Sequence, residues 1–341
     1  MHIATCKEAV FASQWPIAAL RDALTGAGHV VVVAHMNADG DAVGSVLGLT
    51  AVLRRTVQAT VTPLLPDGCP DELAWLPGSD TIASGAADPD LCRSAIEQAD
   101  LVVALDVSSL DRTGRLADDL KRSTARKLLI DHHIDPASDM FQLMVSESEA
   151  SSTCELVYWT MREAFGREAF DREAATCLYA GICTDTGTLS YSNDRASVYL
   201  AMAELLDYGI DPMAINRSIK NVFTLPRLRF FGFAMANRLE VHGDVALMRL
   251  SRADIESYGM KSPELTGLIN EVMLLRDVDC GILVREEVDS VRLSLRSKSR
   301  YDVNQIASRL FGGGGHARAA GATSHLPFEA TIDTVKQHFG F

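Results

Sequence analysis

No apolar run in this chain approaches the roughly 20 residues that span a bilayer, so the sequence gives no reason to expect a membrane helix. The first residues include His2, Lys7 and Glu8 without a long apolar core, so no secretory leader is expected. Cysteine pairing motifs are missing as well. Cys6, Cys69, Cys92, Cys154, Cys177, Cys183 and Cys280 are scattered with no C-x-x-C, an odd set that points to reduced thiols, mostly small core residues, and to a cytoplasmic location. Basic charge is also short. Lys and Arg number 32 against 45 Asp and Glu, a formal net charge of −13, which argues against a surface that tracks the phosphates of long nucleic acid. Aromatic residues make up 6% of the chain, too few to suggest the stacking platform of long-strand binders. There is no internal repeat and no low-complexity tract.

What is present is an ordinary globular composition, 47% hydrophobic and 23% charged, in 341 residues, long enough for two domains. The chain is organised around His35-Met36-Asn37-Ala38-Asp39-Gly40-Asp41, which follows the β-branched run Val30 to Val33. That run reads as a buried strand whose carboxyl end carries one imidazole and two carboxylates, where open α/β sheets bind ligands. Two close carboxylates repel unless a cation lies between them, and oxygen ligands with an imidazole suit Mn²⁺ or Mg²⁺. The competing reading is a polar loop with Asp41 as the N-cap of the next helix.

Two further apolar runs end in the same residue types: Leu101–Leu105 closes on Asp106, and Lys127–Ile130 on Asp131-His132-His133. Helices are expected over Pro16–Leu24, Ala42–Arg55 and Leu91–Gln98, with a strand over Val57–Leu65, an alternation that implies a parallel sheet. Residues 151–208 read as helical, with a capped start at Ser151 to Glu155, a helix over Asp171–Cys183 running into Asp185, and another over Asp194–Leu206. The stretch 210–229, polar and broken by Pro212 and Pro226, is the expected linker between a domain over 1–209 and one over 230–341. In the latter, strands are expected at Val245–Leu250, Gly281–Arg285 and Val291–Leu295. Helices are expected at Glu264–Arg276, with Met273, Leu274 and Leu275 in the core, at Val303–Phe311 and at Phe328–Phe339.

Local charge reverses between Arg292 and Arg318, where Arg292, Arg296, Lys298, Arg300, Arg309 and Arg318 face the single acid Asp302. The glycine run Gly312 to Gly315 can expose backbone N–H groups to an anion, or can serve backbone geometry alone.

The ordered set His35-x-x-x-Asp39-x-Asp41, Asp106 and Asp131-His132-His133, with Asp185 at the place of a fourth motif, resembles the DHH phosphoesterase superfamily. Ser294-Leu295-Arg296-Ser297-Lys298 and the later Gly312 to Gly321 segment resemble its DHHA1 domain. Ala38 stands where the family often has proline, and Leu189 where an aromatic is common. Within the superfamily the chain is most similar to the stand-alone nanoRNase and pAp phosphatase group. The resemblance implies a parallel-sheet α/β domain with helices on both faces, a smaller α/β domain, and an active site in the cleft between them. It implies two divalent ions, Mn²⁺ before Mg²⁺, with Asp106 bridging, His35 and Asp39 on one ion, and Asp41, His132 and Asp185 on the other. Such a pair acidifies a water and stabilises phosphoryl oxygens. His133 would contact the phosphate or protonate the leaving oxygen, with Asp131 orienting an imidazole. Arg296, Ser297, Gly313, Gly314, Gly315 and His316 would bind substrate. The expected partners are short oligoribonucleotides or a nucleoside bisphosphate, not long duplexes or membranes, and a homodimer is compatible with the sequence. A phosphodiesterase for linear or cyclic dinucleotides, and a catalytically silent nucleotide sensor, are the alternatives.

Overall fold

A computed structural model describes residues 15–190, 195–220, 224–265 and 267–341, apart from the side chains of Ser262, Pro263 and His316. The N-terminal residues His2, Cys6, Lys7 and Glu8, as well as Asp194, lie outside the described residues. The chain divides into two compact units, Met1–Val222 and Phe223–Phe341.

The first unit is built on six strands: β1 (His29–Val33), β2 (Thr60–Leu65), β3 (Ala83–Ser84), β4 (Leu101–Leu105), β5 (Arg126–Asp131) and β6 (Leu143–Ser146). All neighbours pair in parallel, in the order β3-β2-β1-β4-β5-β6. Its helices are α1 (Ile17–Gly26), α2 (Gly40–Thr56), α3 (Pro89–Gln98), α4 (Ala117–Arg122), α5 (Thr153–Phe165), α6 (Arg172–Asp185), α7 (Ala196–Leu206) and α8 (Pro212–Lys220). The four valines of β1 explain the layering. Val30 and Val32 pack into one core with Leu20, Val46, Leu156 and Leu178, while Val31 and Val33 pack into another with Cys92, Ile96 and Leu120. A strand buried on both faces needs apolar residues at every position, and each such side chain contributes about 1.5–3 kcal/mol when fully buried. The strand order reverses between β1 and β4, and the crevice at such a reversal is where open α/β sheets take ligands.

The second unit carries a mixed sheet of β7 (Leu239–His242), β8 (Val245–Leu250), β9 (Cys280–Glu286), β10 (Val291–Ser297), β11 (Gly314–His316) and β12 (Ala319–Ser324). Its order is β11-β12-β10-β9-β8-β7, antiparallel except for β8 with β9. One face packs against α12 (Val303–Phe311) and α13 (Phe328–Phe339). The other packs against α9 (Leu225–Asn237), α10 (Arg252–Ser257) and α11 (Leu268–Val272).

Residues 210–229, expected as the connection between domains, span the boundary between the two units and include α8 and the start of α9, with Pro212 and Pro226 in first helical turns, where proline's missing N–H has no partner to lose. Other expectations are corrected. The helix expected over Glu264–Arg276 is only α11, after a 3₁₀ turn at Ser262–Leu265, because Gly267 sits at φ 89° and interrupts it. The chain turns after α11, so Leu274 is 77% and Leu275 40% exposed rather than in the core, while Met273 packs inward against Gly281. Asp39, not Asp41, caps α2. Among the described residues no helix is long and apolar enough to cross a membrane.

Candidate metal centre

The loops after β1, β4 and β5 and the C-terminal end of α6 converge on one cluster. His35 follows β1 by two residues, and its Nδ1 is 2.8 Å from its neighbour Met36's carbonyl. A carbonyl only accepts, so Nδ1 carries a hydrogen and Nε2 is the ring nitrogen that faces the cluster. That Nε2 lies 3.2 Å from Asp106 Oδ2 and 4.0 Å from Asp39 Oδ1. Asp39 Oδ1 accepts the N–H groups of Asp41 and Ala42, both at 3.0 Å, so one side chain caps the helix and faces the cluster.

Asp41, 1% exposed, stands in the first turn of α2 and is held by another helix's amino end. The N–H groups of Thr153 and Cys154, at the start of α5, donate to its Oδ2 and Oδ1 at 2.7 and 2.8 Å. Even so, burial and then the charges of Asp106, Asp185 and Asp39 push its carboxyl well above the usual range. Asp106, buried at the end of β4 with φ 55°, accepts Thr153 Oγ1 at 3.1 Å. Burial works against its charge, yet the hydrogen bond with His35 and the charges of His132, His35 and His133 hold its pKa down to about 2. Asp185 ends α6, and burial, opposed by the charge of His132 and aided by those of Asp106 and Asp39, pushes it up to about 6.

His132 Nε2 faces three of these acids, at 3.6 Å from Asp106 Oδ1, 3.6 Å from Asp185 Oδ2 and 4.0 Å from Asp41 Oδ2, with its Nδ1 3.4 Å from the Ala150 carbonyl. His133 Nδ1 donates to Asp131 Oδ1 at 2.7 Å, and its Nε2 lies 2.9 Å from Arg112 Nη1. Asp131 is fully buried, and its other oxygen has no hydrogen-bond partner.

Among the described residues three overlapping groups could each hold an ion: His35, Asp39 and Asp106; Asp41, His132 and Asp185; and Asp106, His132 and His133. The first two contain all six residues named from the sequence as ligands. The donor set fits hard divalent cations. Carboxylates dominate, two imidazoles complete it, and no thiolate takes part. Clustered acids whose proton affinities are raised by burial and by one another are also what a bound cation would relieve.

The residues expected to bind substrate lie in the second unit. Arg296 is on β10, where its Nη1 donates to the Leu295 carbonyl. Ser297 is buried and its hydroxyl donates to Asp279 at 3.1 Å, so it holds a loop together rather than lining a surface. Asp279 also accepts Ser299 Oγ at 2.8 Å and the Arg300 N–H at 2.8 Å. Gly313, Gly314 and Gly315 lead into and form β11, a strand paired with β12 rather than an open turn. Gly315 sits at φ 146°, and a Cβ there would lie 2.5 Å from the Ala319 carbonyl oxygen, so backbone approach demands this glycine. The side chain of His316 lies outside the described part.

Sequence reasoning missed Thr153, Cys154 and Arg112. The first two act through backbone N–H groups, signalled only by the capped helix start at Ser152. Arg112 has no sequence signal.

The DHH family N-terminal domain matches residues 29–182 and the DHHA1 domain residues 245–339. The bifunctional oligoribonuclease and PAP phosphatase NrnA of Bacillus subtilis is 26% identical, covering 88% of this chain and 91% of its own length. The protein of the same description from Thermus thermophilus is 27% identical over 87% of this chain and 84% of its own. The crystal structure of an exopolyphosphatase-related protein from Bacteroides fragilis superposes with a TM-score of 0.91 at 31% identity, covering 94% of each chain. With both domains matched in order and a 31% identical structural relative spanning its length, this chain belongs to the DHH family of phosphoesterases with a C-terminal DHHA1 domain.

Proposed function

We propose that this chain is a hydrolase using two divalent ions, Mn²⁺ in preference to Mg²⁺, to cleave short oligoribonucleotides and 3′-phosphoadenosine 5′-phosphate (pAp) in the cytoplasm. The observation that carries the reading is the sharing of Asp106 between a group with His35 and Asp39 and the imidazole-bearing group next to Asp41 and Asp185. The relatives described as oligoribonucleases and PAP phosphatases support the substrate class. The cysteines Cys69, Cys92, Cys154, Cys177, Cys183 and Cys280 are free, in keeping with a reducing compartment.

His35, Asp39 and Asp106 would hold one ion, and Asp41, Asp106, His132 and Asp185 the other. Bound there, the ions supply positive charge to a phosphoryl group and acidify a water. The chain's own part is orientation and proton handling. The Met36 and Ala150 carbonyls fix the tautomers of His35 and His132. Asp131 holds His133 by its Nδ1–H, and Nε2, which Arg112 Nη1 meets at 2.9 Å, is the ring nitrogen that would exchange that contact for a phosphoryl or leaving oxygen. Arg296 and the β11 segment are the proposed anchor for the rest of the substrate.

Product analysis with Mn²⁺-loaded protein on pAp, a linear dinucleotide and a cyclic dinucleotide tests this reading. Release of nucleoside monophosphates from the first two, abolished by chelation, is the expected result. Cleavage confined to the cyclic dinucleotide makes the protein a cyclic-dinucleotide phosphodiesterase, and binding without turnover makes it a sensor.

A further inference from the structure

We infer that Arg112 binds the scissile phosphoryl group directly, as the cationic side chain that the first unit contributes to substrate. This rests on the phosphoesterase reading above. Arg112 belongs to the turn after β4 and is held from both sides. Its carbonyl accepts the Met36 N–H at 2.8 Å, its own N–H donates to the Ser109 carbonyl at 3.0 Å, and the buried Thr113 hydroxyl donates to the Leu110 carbonyl at 2.6 Å. The β1 and β4 loops that carry His35 and Asp106 therefore fix Arg112 too.

Its side chain touches the cluster in an unusual way. A guanidinium in contact with a histidine that itself lies 3.5 Å from Asp106 is expected to pair with an acid of the cluster. Among the described residues Arg112 forms no ion pair, and the only basic side chains within 4.0 Å of the carboxylates of Asp39, Asp41, Asp106 and Asp185 are histidines. The neighbouring Asp111 is paired with Lys121. Among the described residues the one side-chain hydrogen bond of Arg112 is to His133 Nε2, and because a guanidinium only donates, that nitrogen accepts. The rest of the planar fork has no protein acceptor among the described residues and is not sealed from solvent. A fork of this kind matches two oxygens of a phosphate. Holding it near acids, but paired with none, leaves it for an anion that arrives with substrate.

The test uses full-length, Mn²⁺-loaded wild type, Arg112→Ala, Arg112→Lys, His133→Ala and the Arg112→Ala/His133→Ala double variant. Metal content and melting temperature are measured alongside kcat and KM on pAp and a linear dinucleotide, and binding of inorganic phosphate is measured by calorimetry. Arg112→Ala is expected to lower kcat/KM on both substrates by roughly a hundredfold, the scale of losing one donor to developing charge, and to weaken phosphate binding at least tenfold, with metal content unchanged. Lysine is expected to recover only part, since an ammonium keeps the charge and loses the fork. In the His133→Ala background, removing Arg112 is expected to cost a further factor. Unchanged phosphate binding, or no further loss in that background, overturns the proposal and makes Arg112 a residue that only positions His133. Calorimetry needs no turnover, so a wild type inactive on both substrates refutes the phosphoesterase reading while the phosphate arm still decides Arg112. If Arg112→Ala does not fold, the lysine variant carries the same comparisons.

Discussion

Asp106 is held in the left-handed backbone region at φ 55°, where few residues with a Cβ are comfortable and Asp and Asn are among the exceptions. Asp106→Asn therefore keeps the local backbone and removes only the charge shared by two ligand groups. It is expected to lower kcat roughly a hundredfold or more, with bound metal falling below two ions per chain. Elemental analysis and steady-state kinetics check this, and a variant with both ions and wild-type kcat removes Asp106 from the bridging role. Asp185 makes a separate prediction. Its pKa of about 6 in the folded, metal-free chain lies well above that of an ordinary carboxylate. The folded state then holds the proton more tightly, so metal-free stability falls as pH rises from about 4 through about 6. His35 and His133, whose raised values reflect Asp106 and Asp131 outweighing burial, lose their contribution at still higher pH, with the same sign. Divalent ions bind the deprotonated cluster, so the rise in melting temperature on adding Mn²⁺ should be larger at pH 8 than at pH 5. A metal-free melting temperature that is flat from pH 4 to 7, with a pH-independent Mn²⁺ effect, contradicts this account.

At the scale of elements, the seam between α2 and α6 sets the distance from Asp41 to Asp185. Both acids sit at helix ends, and the helices approach closely because Gly44 faces α6: a Cβ there would lie 2.6 Å from the Cys177 carbonyl oxygen and 3.1 Å from Cys154 Sγ. Backbone cannot yield cheaply, so Gly44→Ala is expected to destabilise the first unit by about 1–3 kcal/mol, the usual cost of overpacking. It should also weaken Mn²⁺ binding by moving Asp185 from Asp41. Denaturant unfolding and metal titration measure the two effects. Unchanged stability and affinity would mean that the seam has slack and does not set the site. The elements differ in how legible they were. β1, β4 and β5 were plain because a strand buried on both faces is a continuous β-branched run. The short edge strand β6 (Leu143–Ser146) and β7 (Leu239–His242) were not recognised, having few residues and only one partner each. β11 was hidden because glycine reads as turn, although Gly315 is there to let two strands approach.

For the whole molecule, an acidic chain of net charge −13 carries a locally basic segment, Arg292 to Arg318, in the second unit. The structure reduces what that segment can offer. Arg300 pairs with Asp244 at 2.9 Å, and Arg318 donates to the Tyr301 carbonyl at 3.1 Å. Tyr301 and Phe311, the aromatics within the basic run, pack against the unit's core instead of forming a stacking platform. A long single strand would gain few contacts beyond its first nucleotides. A dinucleotide should therefore have a higher kcat/KM than a strand of about 20 nucleotides, and the salt dependence should be shallow because few phosphates are neutralised. Kinetics on both substrates at low and high salt give the answer, and equal efficiency with a steep salt dependence would mark a long-strand exonuclease.

The sequence alone determined the layered α/β architecture and the six proposed ligands, because both are written in local order: apolar runs that end in Asp or His at a strand's carboxyl end. It did not determine how those ligands are held. Asp39, rather than Asp41, caps α2, since Asp41 is engaged by backbone N–H groups from residues more than 100 positions away. Arg112 reaches His133 only because β4 and β5 are neighbours in the sheet. Contacts made by backbone groups and by side chains from separate loops leave no periodicity or spacing in the chain, and only the folded sheet brings them together.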